Sequence, residues 1–242
     1  MSRLLWVLAL LLCLPVAARA QSLAFDITAP LIAVTTGFTG AEVVVFGAID
    51  SEGDLIVTLR APDQRVTVRR KARVLGLWLN REAVEYPAVP GYYAIAATRP
   101  VEEIARPETL ARHRLGLDNL VLESRSPGSD GAAFRAALIR TKQAAGLFPT
   151  GVDSVLMRGP RLFRATLVLP ANTPVGTYQA NVFLFRNGQV VGAQQTPVIV
   201  SKVGASAEIV EFAREYAILY GLLAVAFAVL AGWLADLVFR KR

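Results

Sequence analysis

The sequence predicts a mainly β protein: immunoglobulin-like antiparallel β-sandwich halves with a short helical insert, followed by one C-terminal transmembrane helix. Three observations predict it. Short β-branched and apolar runs recur between turn residues from Leu23 to Thr98 and again from Val155 to Val203. The stretch between Pro100 and Phe148 has helical texture instead. Finally, the 19 residues from Ala217 to Ala235 carry no charge, enough for a helix of about 28 Å, close to the hydrocarbon thickness of a bilayer. With 242 residues, 54% apolar and 19% charged, the chain is neither disordered nor collagen-like, and one cysteine builds no disulfide framework. The apolar residues concentrate at the two ends, which argues against a multi-span protein.

Residues 1–20 read as a signal peptide. A positive start at Arg3, an apolar run from Leu4 to Ala18 and Ala18-Arg19-Ala20 before Gln21 are its three parts. An uncleaved anchor is the alternative, but the run is short of the roughly 20 residues a span needs. Cys13 follows three leucines inside the apolar core, so it is no lipoprotein cysteine, and cleavage removes it.

The N-terminal β-rich half, 21–99, contains runs at Leu23–Thr28, Leu31–Thr36, Glu42–Ile49, Leu55–Arg60, Arg65–Val74 and Tyr92–Ala97. Their 8–12-residue spacing, longer before the last, fits a sandwich or barrel. Asp50-Ser-Glu-Gly-Asp54 is expected to be a hairpin loop. In the helical insert, 100–150, one helical stretch is broken by Pro107. Ser129-Asp130 opens a second helix, with Phe134, Leu138 and Ala145 near helical spacing and Gly146 ending it.

The C-terminal half, 151–204, returns to strands. Leu162–Leu169 leads through a Pro-rich corner to Gly176-Thr-Tyr178, the pattern of a tyrosine corner. Gln179–Phe185 and Gln189–Val200 then flank Arg186-Asn-Gly188, whose Asn-Gly suits a type I′ turn. Residues 205–239 form a juxtamembrane and transmembrane helix, unbroken from Ser206, with Tyr216, Tyr220 and Trp233 near its interfaces. The basic tail 240–242, Arg240-Lys241-Arg242, is cytoplasmic by the positive-inside rule. The expected location is therefore the inner membrane: single-pass, type I, with a periplasmic body.

The net charge of +7 needs dividing by region. Setting aside Arg3, Arg19, Asp236 and the three tail cations leaves 21 basic and 18 acidic residues, a body near +3. The basic balance thus belongs mostly to topology signals, and nucleic acid is excluded as a partner.

The segments Gly76-Leu-Trp-Leu-Asn80, Val89-Pro-Gly-Tyr-Tyr-Ala-Ile-Ala-Ala-Thr-Arg-Pro100, Leu162-Phe-Arg164, Leu169-Pro with Pro174-Val-Gly-Thr-Tyr178, Lys202-Val-Gly204, and Tyr220-Gly with Gly232-Trp-Leu-Ala235 and Phe239-Arg240 carry a resemblance. They are similar to those of the alphaproteobacterial putative transmembrane protein family of unknown function. The resemblance spans nearly the whole mature chain. It implies a signal peptide, an exported β-rich domain and one C-terminal span, and it implies no catalytic residue or ligand. Such proteins can accompany sulfite-exporter-like permeases, so it also implies an inner-membrane transporter as a partner.

The residues offer little chemistry. His113 is the single histidine, Arg-flanked and without a nucleophile elbow, so it reads as a helix-surface residue. No P-loop and no dinucleotide fingerprint occurs. No catalytic residue, metal ligand or cofactor is therefore expected, and the protein is expected not to be an enzyme. Asp50, Glu52 and Asp54 could offer oxygens to a hard cation, but without a full calcium-loop pattern they read as a solvated loop tip.

Arg65, Arg69, Lys71 and Arg73 share one face of a strand. They read as an edge guarded by charge, or as an anion strip for lipid headgroups or an acidic partner. Trp78, Tyr92 and Tyr93 are core aromatics or the lining of a groove. In the span, Ala217, Gly221, Ala224, Ala228, Ala231 and Ala235 recur at intervals of 4-3-4-3-4, a seam of small residues that lets a second helix approach closely. It serves a homo-oligomer or a membrane-protein partner equally. The expected function is a membrane-anchored periplasmic interaction or accessory module; the alternative is a periplasmic ligand- or anion-binding sensor.

Overall fold

The computed structural model describes residues 23–74, 76–125, 130–203 and 212–239, with side chains except at 74, 77, 78 and 237–239. The expected signal peptide, Cys13 included, lies outside them, as do Ser129, the start of the helix at 206 and the tail.

Among the described residues eleven strands are β1 (Leu23–Ile27), β2 (Leu31–Val34), β3 (Gly40–Ile49), β4 (Asp54–Arg60), β5 (Asp63–Val74), β6 (Leu77–Pro90), β7 (Tyr93–Ala97), β8 (Asp153–Arg158), β9 (Leu162–Pro170), β10 (Gly176–Arg186) and β11 (Gln189–Lys202). The helices among the described residues are α1 (Val101–Ile104), α2 (Pro107–His113), α3 (Gly131–Ala144) and α4 (Ala217–Phe239). The protein is mainly β, as the run pattern requires.

Nine strands form one curled sheet in the order β1-β3-β9-β8-β7-β4-β10-β11-β2, while β5 and β6 pair separately as a ribbon. The curl brings β1 against β11, so the sheet folds over on itself. Alternation along each strand then fills the interior. Val43 and Val45 of β3 and Phe163, Ala165, Leu167 and Leu169 of β9 meet Leu55, Val57 and Leu59 of β4 and Tyr178, Ala180, Val182 and Leu184 of β10. The alternate residues of β4, β7 and β10 (Ile56, Tyr93, Ile95, Phe185) are buried as well, under Ile104, Leu110, Phe134 and Leu138 of the helical insert and Val84, Tyr86 and Val89 of β6. β4 reads Leu-Ile-Val-Thr-Leu because it is covered on both faces.

Four details depart from the sequence reading. Pairing is not wholly antiparallel, since β11 runs parallel to β2 and β7 to β8. The Asp50–Asp54 loop is not a hairpin: β3 pairs with β1 and β9, β4 with β7 and β10, so the loop turns a corner of the curled sheet. β6 and β8 are strands that the apolar runs did not announce. Lastly, Asp130 stands at the α3 N-cap, but its carboxylate accepts from Arg70 (2.7 Å) and makes no cap bond.

Other expectations hold. Tyr178 makes the tyrosine corner, its hydroxyl donating to the Pro174 carbonyl at 2.7 Å. Asn187 (φ 52°) and Gly188 (φ 75°) turn the β10–β11 hairpin, and Gly146 (φ 69°) follows α3. Before α4, residues 212–215 are helical. The Tyr216 and Tyr220 amides donate to the carbonyls four residues back, at 2.9 and 2.8 Å, so helical bonding carries across Tyr216.

Candidate functional site

α4 is the first candidate because nothing among the described residues packs on it to explain its composition as a core. Its stretch Ala217–Asp236 has a mean hydropathy of 2.3, and none of it is buried against the body. A 23-residue helix is about 35 Å long, sufficient to cross a bilayer. The rings of Phe212, Tyr216 and Tyr220 cluster at its start, with centroids 5.5 Å (Phe212–Tyr216) and 6.5 Å (Phe212–Tyr220) apart, at the level where amphipathic rings meet headgroups. The six seam residues are all exposed, and a Cβ built on Gly221 would meet nothing within 4 Å.

The sheet corner brings Glu52 and Asp54, but not Asp50, into a cavity of about 730 Å³ together with Arg99, Glu102, Glu103, Arg106 and Arg186. Arginines distant in sequence meet two of the three carboxylates, those of Asp54 and Asp50. The Arg99 fork donates twice to Asp54, at 2.8 and 2.7 Å, and Arg186 reaches the Glu52 carbonyl, the Ser51 hydroxyl and, at 3.9 Å, Asp50. Among the described residues no group of three or more His, Cys, Asp or Glu is disposed to hold a metal ion. Beside this cavity lies a polar cleft of about 480 Å³ containing Arg106, Thr109, Arg112, His113 and Asn187. The His113 ring lies 5.6 Å from that of Phe183, tilted at 58° to it.

The basic strip falls on the β5–β6 ribbon. Arg65, Arg69, Lys71 and Arg73 are all exposed there, across from an inward series of Val66, Val68 and Ala72. Arg65 is paired with Glu85 at 3.1 Å, whereas Arg69, Lys71 and Arg73 have no carboxylate partner among the described residues.

The aromatic trio is not brought together. Tyr92 and Tyr93 are neighbours on an extended segment and are buried on opposite sides, in the inter-sheet core and under the helical insert respectively, so no groove contains both. The Tyr92 hydroxyl donates to Val168 O at 2.7 Å, and the Tyr93 hydroxyl accepts from the Gly116 amide at 3.0 Å. Burial raises the Tyr92 and Tyr178 phenols well above the ordinary tyrosine range and pushes Tyr93 up to about 12. Trp78 lies at a ribbon position whose side chain is not described.

Sequence reasoning missed one surface, the outer face of β3, β9 and β8. Phe46, Leu156, Leu162 and Val168 stand there 42, 53, 55 and 60% exposed. Part of this face is a concavity of about 550 Å³ with Ala24, Asp26, Arg158 and Arg164 at its margin. The signal was partial: in the outward set of Leu162–Leu169, Leu162 and Val168 are apolar beyond what one buried face requires, but Arg164 and Thr166 keep the ordinary alternation.

The family described as "Putative transmembrane protein (Alph_Pro_TM)" matches residues 22–241, nearly the full length of the chain. No curated protein matches it.

Proposed function

The chain belongs to this transmembrane family, and from that premise we propose that it is an exported interaction module, held on the inner membrane by α4 and acting on a membrane-protein partner without catalysis of its own. The observation that carries the proposal is a membrane-length helix with every described side chain exposed and with small residues in line along it. In lipid there is no hydrophobic drive between helices, so close packing has to supply association, and a seam of Ala and Gly is what permits it. A homo-oligomer and a transporter partner both satisfy this geometry. In either case the span confines the body beside its partner and raises the local concentration of the contact. The apolar outer face of β3, β9 and β8 offers the body a second contact.

The signal-like leader and the Arg240-Lys241-Arg242 tail support a periplasmic body and a cytoplasmic C-terminus. The test is a mild-detergent pull-down of the full chain beside its Gly221→Leu/Ala228→Leu variant. We expect an inner-membrane protein, or a second copy of the chain, that co-purifies with the former and is lost with the latter. Equal recovery from both overturns the seam's role.

The sensor reading is favoured by the cleft of about 480 Å³, where Arg106 and Arg112 have no carboxylate partner among the described residues. A small anion seated there stabilises the folded chain by mass action, with an unfolding midpoint that rises with anion concentration. Arg106→Ala/Arg112→Ala should abolish that rise.

A further inference from the structure

We propose that the outer end of the β5–β6 ribbon docks on the anionic phospholipid headgroups of the membrane that holds α4. This rests on anchoring by α4 and not on the identity of any partner.

The ribbon has two parts, divided by the register shift between Arg70 and Lys71. Below the shift it belongs to the body. Val84, Tyr86 and Val89 are buried in the core under the insert with Val66 and Val68 against them, and the Arg70 guanidinium sits 4.8 Å over the Phe134 ring. Above it Lys71, Arg73, Gly76, Leu79, Asn80 and Arg81 are all exposed. A two-stranded ribbon standing free of the core is marginal by itself. Its outer end contributes little to folding, so its composition calls for another explanation.

Charge divides close to the same place. On the body part Arg65 is neutralised by Glu85 at 3.1 Å and Arg70 by Asp130 at 2.7 Å and Glu82 at 3.3 Å, while Arg69, exposed and two residues short of Lys71, is neutralised by none of the described residues. Arg69, Lys71, Arg73 and Arg81 have no carboxylate partner among the described residues. Arg81 is the extra residue of the bulge, since Arg70 pairs with Glu82 and Lys71 with Asn80. Arg73 is held at the turn by Nε donating to the Gly76 carbonyl at 3.4 Å. Leu79, 50% exposed, pairs with Ala72 and therefore lies on the face opposite Lys71 and Arg73. An end that carries unpaired arginine and lysine on one face and an exposed apolar side chain on the other can meet a bilayer end-on: the cations bind phosphate oxygens and the apolar group reaches the headgroup boundary.

Reach favours lipid over a soluble acidic protein. The 14 residues 203–216 between β11 and α4 extend at most about 50 Å, so the body never leaves the membrane's vicinity. The 12-residue strand β5 is itself about 40 Å long. A bilayer surface is thus permanently within range of the ribbon, and unpaired cations near an anionic surface are attracted to it.

The test uses the full chain, with Cys13→Ser and a fluorophore on Leu79→Cys, reconstituted into vesicles that carry a headgroup nitroxide. Flotation with the vesicles reports the span separately. In vesicles of phosphatidylglycerol and phosphatidylcholine the fluorophore is expected to be quenched, and high salt should reverse this. Neutralising any one of Arg69, Lys71, Arg73 or Arg81 to Gln should lower the docked-to-free ratio about fivefold. R69E/K71E/R73E/R81E, which leaves the buried part of the ribbon untouched, should abolish quenching. Equal quenching in pure phosphatidylcholine, persistence in the fourfold variant, or no quenching in any vesicle overturns the proposal. Loss of quenching on adding inorganic phosphate at constant ionic strength would also overturn it, assigning the cations to a free anion.

Discussion

Tyr178 closes its corner with one hydroxyl, and Tyr92 and Tyr93 each bury another, so three phenols are held protonated in the fold. The unfolded chain titrates near pH 10 while the folded phenols titrate higher, Tyr93 at about 12. Each phenol therefore stabilises the fold fully below about pH 10. That stability is lost as pH rises towards the folded pKa, at about 1.4 kcal/mol per pH unit for each group. Tyr178→Phe is expected to cost about 1 kcal/mol at pH 7, the net worth of one hydrogen bond. Urea unfolding in detergent should also show the variant's alkaline decline above pH 10 to be shallower than that of the native chain; an unchanged slope would mean that the hydroxyl already meets solvent. The tyrosine corner was legible in the sequence because donor and acceptor lie four residues apart. The fate of the acidic trio was not, because Arg99 and Arg186 arrive from 45 and 134 residues away.

At the level of elements, the strands read correctly are those with one continuous apolar logic, such as β4, buried on both faces, and β10 with its Asn-Gly turn. β6 escaped because Asn80, Arg81, Glu82, Glu85 and Pro87 interrupt its pattern; its partner strand is β5 alone, and only its inner half, at Val84, Tyr86 and Val89, is buried, so no continuous apolar run marks it. β8 escaped because it is short, with only Val155 buried. Glycine also has an element-level role at position 47, where β1, β3 and β9 meet. A Cβ there would overlap the Ala24 carbonyl oxygen and lie 2.8 Å from the Phe163 ring. Both neighbours are fixed by strand pairing, so they cannot yield cheaply. Gly47→Val is expected to cost about 2–3 kcal/mol by overpacking, read as a lower urea midpoint at unchanged slope. A variant as stable as the native chain would show that β1 can move away from β3.

For the whole molecule, the sequence presents two β-rich halves around a helical insert, but pairing crosses between them throughout. β3 from the first half is bonded to β9 from the second, and β10 from the second lies between β4 from the first and its own neighbour β11. The inter-sheet core draws Leu55, Val57 and Leu59 from one side of the insert and Tyr178, Val182 and Leu184 from the other. Periodicity revealed which residues face inward, yet no local pattern could reveal which strand each would meet. Cutting the chain at the end of the insert would leave β3, β4, β9 and β10 each with an open edge and the contacts between Leu55, Val57 and Leu59 and Tyr178, Val182 and Leu184 unmade. Segments 21–150 and 151–204 are therefore expected to be protease-sensitive and to lack near-ultraviolet circular dichroism when produced separately. Produced together, they should recover both properties. A protease-resistant 21–150 segment alone would show that the first half closes its own sheet, and the interleaved order would then be an arrangement the fold adopts rather than one it requires.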